Sequence, residues 1–158
     1  MHLPFVHPTL ASFIDTKTYR TELYKLSNLQ LGPANNPADA FDLPESSPDF
    51  GQSIAAYYYF IFPNMMWNFY PWGLSINVVL PVSHDKTRIK FITYVWDEER
   101  MAMYSPADID KTEREDEAVV ELVQKGVRSR LYDRGRYSVR WEEGVHQYHS
   151  LLAKFLAG

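Results

Sequence analysis

Apolar positions recur at three- and four-residue spacing along Thr112–Tyr132 (TEREDEAVVELVQKGVRSRLY), where Val119, Val120, Val123, Val127 and Leu131 form one stripe. Thr112 followed three residues later by Glu115 is a capping-box signature and predicts the helix start there. At about 100° per residue, Asp116 falls within roughly 60° of all five apolar residues; Glu115 and Glu117 fall about 100° to either side and Glu121 about 140° away. The pattern therefore sends one carboxylate of an acidic cluster toward a core and its neighbours outward. Burying a carboxylate is costly unless something compensates it. Asp116 has three candidate partners: the dipole and spare N–H groups of a helix N-terminus, an Arg or Lys, or a metal ion, since Asp is a hard ligand for iron, manganese or magnesium.

Period-two alternation predicts strands upstream of that helix. Lys17–Leu31 alternates Tyr19, Thr21, Leu23 and Lys25 against Arg20, Glu22, Tyr24 and Leu26 and reads as one strand. Gly32–Gly51, with Pro33, Pro37, Pro44 and Pro48, reads as a long loop. Ile54–Phe62 (IAAYYYFIF) is an aromatic-rich strand, followed by strands over Asn64–Tyr70, Gly73–Pro81 and Thr87–Asp97. Pro63, Pro71-Trp72-Gly73 and Ser83-His84-Asp85-Lys86 punctuate them. After the long helix, Asp133–Arg136 is a turn, and a last helix runs over Glu142–Leu156 on Val145, Tyr148, Leu152 and Phe155. Short turns between successive strands imply an antiparallel meander, and strands followed by helices imply an α+β fold with helix over one sheet face. The space between such a sheet and its helix is a natural small-molecule site.

Composition narrows the class of function. The 158 residues suit one domain, and 46% hydrophobic with 15% aromatic residues suits a roomy aromatic interior. A net charge of −4 gives no reason to expect nucleic acid or an anionic membrane surface as partner. The absence of Cys removes disulfides, thiolate catalysis and Cys-ligated zinc or iron–sulfur sites within these residues, and fits a reducing, cytoplasmic setting. No apolar run reaches membrane-spanning length, and MHLPFVHPTLAS lacks the pattern of a signal peptide. The first ten residues instead read like a chain opened within a domain, since they begin on groups suited to a core.

Candidate chemistry joins the start of the chain to the long helix. His2 and His7, five positions apart with four residues between them, together with Asp116 supply two imidazoles and one carboxylate, the facial triad of non-haem ferrous oxygenases. His84 sits in a turn and reads as solvated; His146 and His149, three apart on the last helix, could bind a metal but read as surface residues. Tyr57, Tyr58, Tyr59, Trp67 and Trp72 read as core aromatics rather than a cofactor platform. Neither a Ser-His-Asp order, a Gly-rich phosphate loop nor a paired zinc motif occurs.

Four segments carry a resemblance. HLPFVHP at 2–8 resembles the iron-binding segment of Rieske non-haem iron oxygenase α subunits, the aromatic-ring-hydroxylating oxygenases, and NMMWNFYPWGLSINVVLP at 64–81 looks like that family's central catalytic strands. EDEAVVELVQKG at 115–126 resembles its third-ligand helix, and RSRLYDRGRYSVRWEEGVHQYHSLLAKFL at 128–156 looks like the C-terminal end of choline-monooxygenase-like members. The resemblance implies a helix-grip fold, an antiparallel sheet curved around a long C-terminal helix, and a mononuclear Fe(II) held by His2, His7 and Asp116, with Glu115 the nearest alternative. It implies O2-dependent hydroxylation of an aromatic or amine small molecule.

The chain departs from the family pattern in lacking the Rieske domain with its 2Fe–2S cluster and the acidic residue before the first His, where Met1 stands. Residues 1–158 are thus expected to be the C-terminal part of a catalytic domain, inactive alone and dependent on a Rieske-domain or reductase partner for electrons. Apolar surface normally covered by the missing domain predicts self-association into a homo-oligomer. The competing expectations are a small-molecule-binding module of the same fold without catalysis, and an inert remnant.

Overall fold

The computed structural model describes residues 3–103 and 106–158. Two short helices, α1 (Leu3–Val6) and α2 (Pro8–Phe13), open the chain. Six strands follow: β1 (Arg20–Leu23), β2 (Ser27–Pro33), β3 (Ile54–Ile61), β4 (Met65–Tyr70), β5 (Gly73–Ser83) and β6 (Lys86–Val95). Helices α3 (Glu98–Met103), α4 (Pro106–Gly126) and α5 (Glu143–Ala157) complete it. Every strand pairs antiparallel with its sequence neighbour in the order β1-β2-β3-β4-β5-β6, so the expected α+β meander is the observed architecture.

The stretch expected as one strand over 17–31 is a hairpin. Tyr24 N donates to Ser27 O at 2.8 Å, and Leu23 faces Asn28 across the turn. The turn has none of the Gly, Pro or Asn that normally signal reversal, so alternation reads straight through it. Gly73 occupies the opposite situation. A Cβ there would lie 2.4 Å from Tyr94 O, so only glycine lets β5 approach β6 this closely.

Two apolar clusters fix the β2–β3 half of the sheet. Ile14, Ala55 and Ala56 pack with Phe13, Tyr19, Tyr58 and Tyr70 where α2 meets the strands. Leu29, Leu31 and Ile54 pack with Phe41, Leu43, Tyr57 and Tyr59 beneath the loop leading into β3. Asp49 pins that loop by accepting from Tyr57 Oη at 3.0 Å and from Arg20 Nη2 at 3.1 Å. On the other end, α5 lies against β1, and its Tyr148 ring meets Phe60 edge-on at 5.2 Å. Gln147 ties α5 to the β1–β2 turn by accepting from Asn28 Nδ2 at 3.1 Å and donating to Ser27 O at 3.2 Å.

The long helix differs from expectation in two ways. It spans Pro106–Gly126 rather than Thr112–Tyr132, opening on a proline whose missing N–H costs nothing at a helix start. Its end tightens: Arg128 N bonds Lys125 O and Ser129 N bonds Gly126 O, three-residue turns that leave 127–142 irregular. Its apolar stripe is also not buried, since Val120, Val123, Val127 and Leu131 are 65, 56, 40 and 88% exposed. Periodicity marks which residues share a face, but a neighbouring element must arrive to cover it, and α5 rather than this face of α4 lies on the sheet.

Candidate metal centre and cavity

His7 owes its position to the residue after it. A proline disfavours helical backbone at the residue before it, so Pro8 breaks α1 from α2 and leaves His7 as the α2 cap, at φ −121° and ψ 69°. The backbone is used, His7 O accepting from Ala11 N at 2.9 Å, while the imidazole makes no capping bond and extends toward α4. It is 2% exposed.

Helix α4 meets that ring with two consecutive carboxylates. Glu115 Oε2 lies 2.8 Å from His7 Nδ1, and Asp116 Oδ1 lies 2.9 Å from His7 Nε2. Adjacent helical residues diverge by about 100°, which lets the two side chains straddle one flat ring. Lys111, one turn before, brings its Nζ within 3.9 Å of Glu115 Oε1. Asp116 is therefore not in the core where the wheel places it. Its side chain is 55% exposed, and it sits at the mouth of a cavity because the stripe that was to carry it inward is itself uncovered.

The imidazole and Asp116 fit a divalent metal. Ligands at about 2.1 Å from an ion and at right angles to one another lie about 3 Å apart, close to the 2.9 Å between Nε2 and Oδ1. The donor types, one imidazole and one carboxylate, suit Fe(II). Among the described residues, no cluster of three or more His, Cys, Asp or Glu is disposed to hold a metal, and His2, the expected third donor, lies outside them. Glu115, the expected alternative to Asp116, reaches the same histidine at its other nitrogen.

His7 and Asp116 open onto a cavity of about 970 Å³ between the sheet, α4 and the start of α5. Strand register explains its walls. Thr21, Gln30, Tyr58, Asn68 and Ser75 are successive cross-strand partners on one face, and Asn28, Phe60, Met66 and Asn77 form the next row. Aromatic rings close one end: Tyr70 stacks on the buried Trp72 at 5.0 Å and 7°, and Tyr58 meets Tyr70 edge-on at 5.8 Å. Tyr19 donates to Gln30 Oε1 at 3.2 Å, and burial pushes its phenol well above the ordinary value, so it remains a neutral donor.

Strand alternation also divides the aromatic cluster. Tyr58 and Trp72 line the cavity, whereas Tyr57 packs in the loop-covered cluster. His84 is 91% exposed, and His146 and His149 are exposed, as expected. The polar wall of Gln30, Asn68 and Ser75, with Asn77 in the adjoining row, was not foreseen, because alternation alone assigns polar positions to solvent. Burial of Asn28 and Ser75 at 3% each shows that this sheet turns polar residues inward.

The family profile described as "Ring hydroxylating alpha subunit (catalytic domain)" matches residues 1–158. Chloroplastic choline monooxygenase of Arabidopsis thaliana is 33% identical over 158 residues, covering 96% of this chain and 35% of that protein. The Beta vulgaris enzyme of the same name is 29% identical, over 98% of this chain and 34% of its own length. The chain thus spans about a third of the curated relatives it matches. A quaternary ammonium Rieske monooxygenase structure, concerned with carnitine oxidation by gut microbiota and inter-subunit electron transfer, superposes with a TM-score of 0.73 at 21% identity, over 98% of this chain and 43% of that one. The quaternary ammonium Rieske monooxygenase CntA in complex with substrate L-carnitine gives 0.66 at 20% identity, over 98% of this chain and 42% of that one.

Proposed function

The chain belongs to the ring hydroxylating alpha subunit (catalytic domain) family, and from that premise we propose that it forms the mononuclear-iron, substrate-binding part of a Rieske-type oxygenase that hydroxylates a small organic amine. The observation that carries this reading is the 2.9 Å pairing of His7 Nε2 with Asp116 Oδ1 on the wall of an aromatic-lined cavity. His7 and Asp116 would hold Fe(II), with His2 as the third donor that the family resemblance implies. When bound, the ion supplies the dioxygen chemistry.

The residues of the chain do the rest. Tyr58 and Tyr70, the latter backed by the buried Trp72, present rings to an alkylated ammonium, which such rings attract more strongly where water is excluded. Gln30, Asn68, Ser75 and Asn77 offer hydrogen bonds that fix the polar end of the substrate. The names of the relatives, choline monooxygenase and quaternary ammonium monooxygenase, favour a cationic amine over a neutral aromatic ring as the substrate. A Rieske cluster is held partly by Cys, and these residues contain none. Electrons therefore come from a 2Fe–2S centre outside them, on a Rieske-domain or reductase partner.

A second reading, a binding module without catalysis, draws on the 55% exposure of Asp116. Anaerobic Fe(II) titration separates the two. One equivalent bound by the parent and lost in His7→Ala and Asp116→Ala supports the oxygenase centre; equal iron in the parent and the Asp116 variant sinks it. Thermal-shift comparison of choline with its neutral carbon isostere then tests the substrate class, with greater stabilisation by the cation expected. Ligand binding without iron would favour the second reading.

A further inference from the structure

The two carboxylates that α4 brings to His7 are not equivalent. Asp116 lines the cavity together with His7, and Glu115 does not. The two ring nitrogens point in diverging directions, so an ion at the cavity-facing Nε2 lies on the Asp116 side of the ring and away from Glu115. Glu115 is the more protected of the pair, with a side chain 26% exposed against 55%, and Lys111 stands beside its other oxygen.

The geometry points to Glu115 as a positioning residue that accepts the Nδ1–H of His7 and thereby presents Nε2 to the metal and the cavity. The inference rests on the proposed role of His7 and Asp116 as metal ligands. A carboxylate acceptor gives a short, charge-assisted bond. It selects the tautomer with hydrogen on Nδ1, leaving the Nε2 lone pair for a metal. It also opposes rotation of the ring by half a turn, which would set a carbon-bound hydrogen against the Glu115 carboxylate. The same contact explains why His7 can be buried without a capping role, since its outer nitrogen is satisfied by a residue that contributes nothing to the cavity wall.

The test uses Fe(II) titration of the parent, Glu115→Ala, Glu115→Gln and Asp116→Ala chains under anaerobic conditions, alongside nitrogen NMR of the His7 ring in the metal-free protein. Glu115→Ala is expected to weaken iron binding about 10- to 100-fold, the range typical of lost outer partners, and to release the ring from a single Nδ1–H state. Glu115→Gln keeps an oxygen acceptor and should stay within a few-fold of the parent, which also answers the objection that the alanine variant merely unfolds. Asp116→Ala should lose binding altogether. An unchanged affinity in Glu115→Ala overturns the inference. So does complete loss equal to Asp116→Ala, which would make Glu115 a ligand. A parent that binds no iron defeats the proposed metal centre instead. In that case the ring spectrum still decides the positioning role, because an identical His7 spectrum in parent and Glu115→Ala overturns it without any metal.

Discussion

β3 and β6 are both strands rich in β-branched and aromatic residues, IAAYYYFI and KTRIKFITYV, yet they live in different surroundings. β3 has a strand on either side, with α2 and the 34–53 loop packed over it, and its first three residues are buried. β6 has one neighbour, and all ten of its residues are exposed, including Phe91, Ile92 and Tyr94. α4 shows a weaker contrast with α5: Val120 and Val123 of α4 are exposed, whereas Tyr148 and Leu152 of α5 are partly buried. Local pattern thus decides that an element forms and which residues share a face. Whether that face stabilises the fold depends on what else is laid against it, and stability here should concentrate at the β2–β3 end.

The largest test of that contrast is removal of a covered side chain. Trp72→Ala deletes a ring that is 1% exposed and stacked on Tyr70, and should cost about 3–5 kcal/mol in denaturant unfolding. Leu31→Ala, also 1% exposed, should cost about 2–5 kcal/mol. A loss below that obtained on β6 would break the comparison. Next in size is association. The uncovered apolar groups of β6 and α4 should drive concentration-dependent self-association in light scattering, and the double change Val120→Lys with Val123→Lys should reduce it. A clean monomer at every concentration would show that these faces are inert. Smaller still, Ile92→Ala on exposed β6 should change stability by about 0.5 kcal/mol or less, read as a shift in urea midpoint.

The finest test uses pH. Burial holds the phenols of Tyr19 and Tyr57 above their ordinary value of 10.0, with the Asp49 hydrogen bond adding to the effect at Tyr57. The folded chain keeps these protons after the unfolded chain has released them. Their contribution is therefore complete below about pH 10 and is lost as pH rises beyond it. The melting temperature should fall above that pH, and less steeply in Tyr19→Phe. Equal slopes in parent and variant would remove Tyr19 from the account.

How much of this was legible in the sequence follows from which signals are local. β3 to β6 lie within two residues of their expected bounds because Pro63, Pro71-Trp72-Gly73 and His84-Asp85 mark the reversals between them. α2, at six residues, is too short for a helical period to register, and the β1–β2 turn carries no breaker residue. Asp116 illustrates how far a local period reaches. The wheel places it among buried valines, whereas the structure sets it at a cavity mouth beside a histidine 109 positions away. The resemblance joined those two segments, which no local period could do. The pairing of Glu115 with the opposite nitrogen needed coordinates, because sequence spacing makes two neighbouring acids look like competitors for one task.

That adjacency has a mechanical consequence. Glu115 and Asp116 share a peptide bond within a rigid helix, and the ring between them is anchored on a different segment. A displacement of α4 directly away from the ring would therefore lengthen both contacts together, so the position of the helix and the alignment of the imidazole are mechanically linked.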